Sequence, residues 1–187
     1  MAGPPRQGRS GVTREKARER ASVLDAKIHE KLGELLRGSP RDVLSQIRAY
    51  LIRRSAEMNT RNNPIQLLKF RKDQNGMALI VLGPAFDKGA TTEHFHFDSG
   101  ARLSFGLALR DRGNGSELVS FRFHCHLAEG RPLEYLRFDL NEKAHVDPLS
   151  EPRCHLHPGL EDVRIPMSLH DPIEILDRIF FAADGSL

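Results

Sequence analysis

The chain has few cysteines, no long apolar run and little net charge outside its N-terminus. Its 187 residues include only Cys125 and Cys154, too few for a disulfide framework or a four-cysteine zinc site. No run of about 18 apolar residues is present, so no transmembrane helix is predicted. The first 20 residues also lack the apolar segment of a secretory signal. These absences favour a single cytoplasmic domain without membrane association.

The positive charge is concentrated at the N-terminus. Residues 1–20 hold six basic and two acidic side chains and therefore carry +4, whereas the whole chain carries +3. Residues 1–12, rich in Gly, Pro and Arg, are predicted to form a disordered basic tail. Arg14, Arg18 and Arg20 are the predicted nucleic-acid-binding side chains. The alternative is a solvated helix start without a partner.

Apolar residues at spacings of three and four predict two helices within residues 13–60. The first stripe comprises Ala21, Leu24, Ile28, Leu32 and Leu35. Ser39 and Pro40 suit the N-cap and first position of the second helix. Its apolar stripe comprises Val43, Leu44, Ile47, Leu51 and Met58.

After Pro64 the apolar period becomes two, which predicts strands. The predicted strands are Ile65–Arg71, Met77–Leu82, Thr92–Asp98, Ala101–Arg110, Glu117–Leu127 and Leu133–Leu140, with Val163–Pro166 as a short addition. Residues 141–162 are predicted to be a loop, and Asp171-Pro172 to open a final helix. The predicted fold class is α+β: two N-terminal helices, an antiparallel meander of five to seven strands in residues 64–187, and a C-terminal helix on the apolar face.

Alternation along the predicted strands gives the sheet one apolar and one polar face. Phe95, Phe97, Phe121 and Phe123 fall on the apolar face. The polar face receives His94, His96, Arg102, Ser104, Arg122, His124, His126, Tyr135, Arg137 and Asp139. A two-residue turn at Glu129-Gly130 would pair His124 with Tyr135 and Arg122 with Arg137. Matching apolar positions would place Cys125 and Phe97 on either side of Leu103, so one polar row would read His96, Ser104, His124, Tyr135.

Histidine and arginine on one surface suit metal-free RNA cleavage. Two imidazoles supply a general base and a general acid, and arginine binds and stabilises a phosphate. The predicted catalytic residues are His96, Arg122, His124, Tyr135 and Arg137, with no cofactor and RNA or another nucleic acid as partner. Further candidates are His94, His126, Asp139, His155, His157 and Arg164.

Two other functions fit the same sequence. A His-x-His pair with a carboxylate such as Asp98 or Asp139 is a plausible ligand set for zinc or another divalent ion, although two nearby arginines would repel a cation. Alternatively, the protein is a non-enzymatic component that docks a protein partner through its N-terminal helices.

The C-terminal region resembles small bacterial proteins of defence and toxin–antitoxin systems, including TumE-type toxins. The resemblance rests on Arg137-Phe138-Asp139, His155-Leu156-His157 and Arg164-Ile165-Pro166 followed by an apolar helix, and covers roughly the last 70 residues. A Pro-rich insertion before His155 and the added N-terminal helices depart from the TumE-type pattern. The resemblance implies a toxin-like or antiphage role directed at RNA.

Overall fold

The structure is a computed structural model in which an antiparallel eight-stranded sheet packs against helices. The helices and strands of the described residues confirm the predicted α+β class. The structure describes residues 38–57, 62–84, 93–142 and 152–184, with Glu19, Val23, Lys27, Ile28 and Leu36. No helix among these residues is long and apolar enough to cross a membrane.

The predicted first helix is described at only a few positions. Glu19, Val23, Lys27 and Ile28 are helical, and Ile28 is buried in the core whereas Val23 is exposed. The remainder of its predicted apolar stripe lies outside the described residues. The predicted tail of residues 1–12 lies outside them too, as do the three predicted nucleic-acid-binding side chains, Arg14, Arg18 and Arg20.

Helix α1 (Pro40–Glu57) begins at the predicted cap. The Ser39 backbone N–H donates to the Asp42 carboxylate at 2.7 Å, and the Ser39 hydroxyl accepts from the Asp42 backbone N–H at 3.4 Å. This reciprocal pairing satisfies two backbone donors at the helix start. The predicted apolar stripe is buried at Val43, Leu44, Ile47 and Leu51. The second helix is therefore confirmed over these residues.

The strand predicted at Ile65–Arg71 is wrong at its start. Residues Pro64–Leu67 form the short helix α2 instead. The Asn63 side chain accepts from the Ile65 backbone N–H at 2.9 Å, and Pro64 has the backbone angle that a first helical position requires. This local capping outweighs the apolar alternation, so the strand begins only at Leu68.

The sheet contains eight strands, one more than the upper limit of the predicted range. They are β1 (Leu68–Lys72), β2 (Ala78–Leu82), β3 (Phe95–His96), β4 (Arg102–Asp111), β5 (Ser116–His126), β6 (Tyr135–Leu140), β7 (Cys154–Pro158) and β8 (Ile165–Pro166). Their order is β1-β2-β4-β5-β6-β7-β8, and β3 pairs with β4 beyond the end of β2. The prediction of a loop over 141–162 is wrong at β7, because two flanking prolines hide this five-residue strand in the sequence.

Helix α3 (Pro172–Asp184) packs on the apolar face, as predicted. Phe180 is fully buried, with its ring centroid 5.0 Å from Phe97 and 5.9 Å from Phe95. The Phe180 ring also packs edge-on against Tyr50 of α1 at 5.8 Å. Both helices therefore cover the phenylalanine side of the sheet.

The predicted register between β5 and β6 is wrong by two residues. Phe123 lies opposite Phe138, and Arg122 lies opposite Asp139 instead of Arg137. The cause is the turn: Leu127 N–H donates to the Glu134 carbonyl at 2.9 Å, so residues 128–133 all belong to the connection. Because the register is shifted by an even number of residues, every side chain stays on its predicted face of the sheet.

Two details of β4 and its neighbours also differ from prediction. Cys125 lies opposite Leu103 as predicted, but the residue on the other side is Phe95, whereas Phe97 was predicted. A bulge in β5 moves Leu118 to the apolar side opposite Leu109. The extra residue interrupts simple alternation at that point.

Candidate functional site

The polar face of the sheet carries the predicted histidines, and the buried phenylalanines lie on the other face. Its side chains fall into three rows that run across the strands. The rows are His96, Arg102, His126 and Tyr135; Ser104, His124, Arg137 and His157; and Gly106, Arg122, Asp139 and His155. In the predicted row His96, Ser104, His124, Tyr135, the central pair Ser104–His124 is confirmed, whereas the two end members are wrong, because His96 lies opposite Arg102 and Tyr135 lies opposite His126.

The first row, named here the Arg102 row, places one arginine between two histidines. His96 lies opposite Arg102 on one side, and His126 lies opposite it on the other. The His94 ring centroid is 6.4 Å from both His96 and His126. Arg102 is exposed and His126 is half-buried, so this end of the polar face is open to a ligand.

The electrostatic environment sets the protonation of two members of the Arg102 row. Burial and then the positive charge of Arg102 lower the pKa of His126, which favours a neutral imidazole at neutral pH. Burial and then the negative charge of Glu161 raise the pKa of Tyr135, whose hydroxyl therefore keeps its proton. A neutral His126 can accept a proton, and the lowered pKa makes it a weaker base than a free imidazole.

His124 lies beside the Arg102 row, and its predicted catalytic role stays a prediction. Its ring centroid is 4.3 Å from His126 and 5.1 Å from Tyr135. Burial, followed by the charges of His126 and Arg137, lowers the pKa of His124 to about 4. A neutral His124 imidazole is therefore favoured at neutral pH, and its ring packs against that of His126.

The third predicted histidine pair belongs to a separate group, named here the Asp139 cluster: Asp139, His155 and His157. Antiparallel pairing of β6 and β7 places Asp139 directly opposite His155. All three residues are at most 3% exposed. The Asp139 Oδ2 atom lies 3.7 Å from His155 Nε2 and 3.5 Å from His157 Nε2.

Arg137 is held by three partners around the Asp139 cluster. Its Nε donates to Asp139 at 2.9 Å, its Nη1 donates to both Glu161 oxygens at 2.8 Å, and its Nη2 lies 2.8 Å from His157 Nε2. A guanidinium that makes these contacts has few N–H groups left to donate to a phosphate. These contacts give Arg137 a structural role at the Asp139 cluster, and its catalytic role stays a prediction.

Arg122 is the second arginine at Asp139. Its Nε donates to Asp139 Oδ1 at 3.1 Å, and its side chain is 46% exposed. Asp139 thus lies between Arg122 and Arg137 and neutralises the repulsion that the predicted Arg122–Arg137 pair would have had. Arg122 faces solvent near the Arg102 row without belonging to it.

The remaining candidates divide between the two groups. His94 and His96 lie beside Arg102, whereas the charge of the exposed Arg164 acts on His155. Asp98 is exposed in the turn after β3 and is not a member of the Asp139 cluster. Arg102 was placed on the polar face but missed as a site residue, because the predicted register put His126 opposite it and placed His96 opposite Ser104 instead.

Glu161 was also missed. It lies in the predicted loop, exposed to solvent, and is brought to Arg137 by the return of the chain after β7. No spacing in the sequence relates these two residues. An acidic residue shortly after a His-x-His strand was the only available signal.

Comparisons with protein-family models, with curated proteins and with solved structures give no match to this chain. The resemblance to TumE-type toxins therefore stays a prediction, and the functional argument rests on the geometry of the polar face.

The histidines of the polar face predict a loss of stability in mild acid. The pKa values of His124, His126, His155 and His157 are all lowered, mainly by burial. The unfolded chain therefore binds protons in a pH range where the folded chain does not, and stability is lost as pH falls from about 6.5 towards 4. We expect the urea concentration at the midpoint of unfolding to fall as the pH is lowered over this range.

A variant isolates the contribution of His124. We expect His124→Gln to shrink the difference between urea midpoints measured at pH 7 and pH 4.5, because one of the four groups no longer titrates. His170→Gln, at a partly exposed ring beside Glu174, provides the matched control. A midpoint that rises in acid would contradict the sign of this prediction.

Proposed function

We propose that the Arg102 row binds a phosphodiester group of RNA and that the protein cleaves RNA with no metal in the reaction. The observation that carries the proposal is the order His96, Arg102, His126 across three adjacent strands. Strand spacing puts the backbones of the two histidines roughly 10 Å apart, with the arginine between them. A phosphate held by Arg102 then has an imidazole on each side.

This arrangement suits an in-line displacement at phosphorus. Neutral His126 takes the proton of the ribose 2′-hydroxyl, and the 2′-oxygen attacks the adjacent phosphorus. The bond from phosphorus to the 5′-oxygen breaks, and His96 donates a proton to that leaving oxygen. The products are a 2′,3′-cyclic phosphate and a 5′-hydroxyl, so atoms and protons balance.

Arg102 supplies the electrostatic part of the proposal. Its planar guanidinium can donate two parallel hydrogen bonds to the non-bridging phosphate oxygens. The same contacts become stronger as negative charge builds up on those oxygens in the transition state. Tyr135 is a positioning residue, because its buried hydroxyl and its ring pack behind His124 and His126.

The biological setting that fits this activity is a toxin-like or antiphage bacterial protein. That setting rests on the resemblance of the C-terminal region to toxin–antitoxin proteins. The exposure of Arg102 and Arg122 on one sheet face supports a polyanionic substrate. RNA is favoured over DNA because the proposed nucleophile is the 2′-hydroxyl. The rival function, docking a protein partner through the N-terminal helices, predicts no chemistry at this row.

The decisive experiment uses single-stranded RNA oligonucleotides and their 2′-deoxy counterparts. We expect the purified protein to cleave the RNA and leave a 2′,3′-cyclic phosphate, and to leave uncut a linkage whose 5′-side nucleotide lacks the 2′-hydroxyl. Mass spectrometry of the products identifies the terminal group.

Two results would reject the proposal. Cleavage of the 2′-deoxy linkage would show that the 2′-hydroxyl is not the nucleophile, as in a hydrolase that activates water. Absence of cleavage over a panel of RNA sequences and structures would leave the partner-docking function as the better account of the protein.

A further inference from the structure

The Asp139 cluster directs three potential ligand atoms at one point. Asp139 Oδ2, His155 Nε2 and His157 Nε2 come from two paired strands and are buried together. Two imidazole nitrogens with a carboxylate oxygen form a ligand set that proteins use for zinc and similar divalent ions. We propose that Asp139, His155 and His157 bind one divalent transition-metal ion of the zinc type.

The two distances from Asp139 to the histidines are too long for hydrogen bonds and are compatible with the ligand spacing around a bound ion. Asp139 Oδ2 lies 3.5 Å from one imidazole nitrogen and 3.7 Å from the other. A hydrogen bond between such atoms would measure roughly 2.7–3.2 Å. Tetrahedral zinc with bonds of about 2.0–2.2 Å places its ligand atoms roughly 3.3–3.6 Å apart. The observed separations are close to that spacing.

The orientation of His155 supports the same conclusion. Its Nδ1 lies 2.6 Å from the Pro152 carbonyl oxygen and must carry the proton, because a carbonyl only accepts. In the neutral ring the Nε2 lone pair is then directed towards Asp139. Histidines that bind metals are commonly held in this way, with the outer N–H donated to a carbonyl. His155 Nε2 and Asp139 Oδ2 are then both acceptors at 3.7 Å; the Arg137 guanidinium neutralises this carboxylate in the structure, and a bound metal ion would take over that role.

Arg137 makes the contacts that such an ion would replace. Its guanidinium reaches both Asp139 Oδ2 and His157 Nε2. The same group forms a bidentate pair with Glu161, whose side chain is 64% exposed. The Arg137–Glu161 pair can therefore swing outward together and keep its charge balanced. Metal binding in this protein is thus a competition between the ion and Arg137.

The ligand chemistry selects the type of ion. Magnesium and calcium prefer ligand sets made of oxygen, whereas two imidazoles suit zinc and the later first-row metals. The proposal does not depend on RNA cleavage by the Arg102 row, because the Asp139 cluster shares no residue with that row. Success or failure of one proposal leaves the other intact.

Zinc chloride is the probe for the experiment, with equilibrium dialysis followed by metal analysis. We expect about one zinc ion per wild-type chain and a zinc-dependent rise in melting temperature. Asp139→Asn and His157→Gln should weaken zinc binding more than the roughly 10- to 100-fold that loss of an outer hydrogen-bond partner causes. Arg137→Gln should strengthen it at least about tenfold, because it removes a competing positive charge.

His170→Gln is the control, because His170 pairs with a carboxylate outside the cluster. The zinc affinity of the His170→Gln variant should equal that of the wild-type protein. Circular dichroism identifies any variant that fails to fold, and a gain in Arg137→Gln counts only if that variant is folded, because an unfolded chain also binds zinc through exposed Cys and His side chains. Wild-type protein that binds no stoichiometric zinc, zinc binding that survives Asp139→Asn, or an unchanged affinity in Arg137→Gln would overturn the proposal.

Discussion

Phe180→Ala is expected to lower the free energy of unfolding by about 3–5 kcal/mol. Phe180 is fully buried where α3 meets the sheet, and its ring contacts Phe95, Phe97 and Tyr50. Truncation removes these contacts and leaves a cavity that surrounding rings cannot fill. Urea unfolding followed by circular dichroism measures the change.

The next residue provides the control. Phe181 is 56% exposed, so Phe181→Ala should change the free energy of unfolding by no more than about 0.5 kcal/mol. The contrast tests the orientation of α3 on the sheet. Equal losses for the two variants would show that α3 presents a different side to the apolar face.

His126→Ala is expected to reduce the rate of RNA cleavage by roughly 10²- to 10⁴-fold, the usual effect of losing a general base. Arg102→Lys should also impair cleavage strongly, because lysine keeps the charge but loses the planar pair of donors. Both side chains lie on the accessible end of the polar face, so stability should change little. Single-turnover cleavage of a labelled oligonucleotide gives the rates.

Arg110→Lys is the matched control for Arg102→Lys. Arg110 is an exposed arginine on the same strand, eight residues or roughly 26 Å away, where it pairs with Glu117. Cleavage by this variant should match the wild type. If Arg110→Lys and Arg102→Lys reduce cleavage equally, the loss does not depend on which arginine is changed, and the Arg102 row is not the reaction site.

The sequence determines the two faces of this sheet but not its rows. Alternation alone places the histidines opposite Phe121 and Phe123, because burial of one face leaves no freedom for the other. The rows depend on turn length, and the connection between β5 and β6 is longer than the Glu129-Gly130 signal suggests. This two-residue error preserved the face and changed the β5 neighbour of Asp139, and a second two-residue error between β3 and β4 changed the β3 neighbour of Arg102.

The Asp139 cluster shows a different limit. His155 and His157 stood out as a pair, but their strand was hidden by prolines, so no pattern placed them against Asp139. The side chains that orient the cluster come from outside any regular pattern: Glu161 follows β7, and the Pro152 carbonyl is backbone. Contacts of this kind depend on the path of the chain, which local periodicity does not encode.

The last strand of the sheet bears on how the protein behaves when concentrated. An outer strand normally presents unpaired amide and carbonyl groups on which another chain can extend the sheet, and long flat edges promote fibril growth. Strand β8 has only two residues, and one of them, Pro166, has no amide proton to offer. A strand from a neighbouring chain would therefore find too few hydrogen-bonding groups along β8 to extend the sheet. We expect this edge to resist the addition of further strands, although Ile165 is exposed.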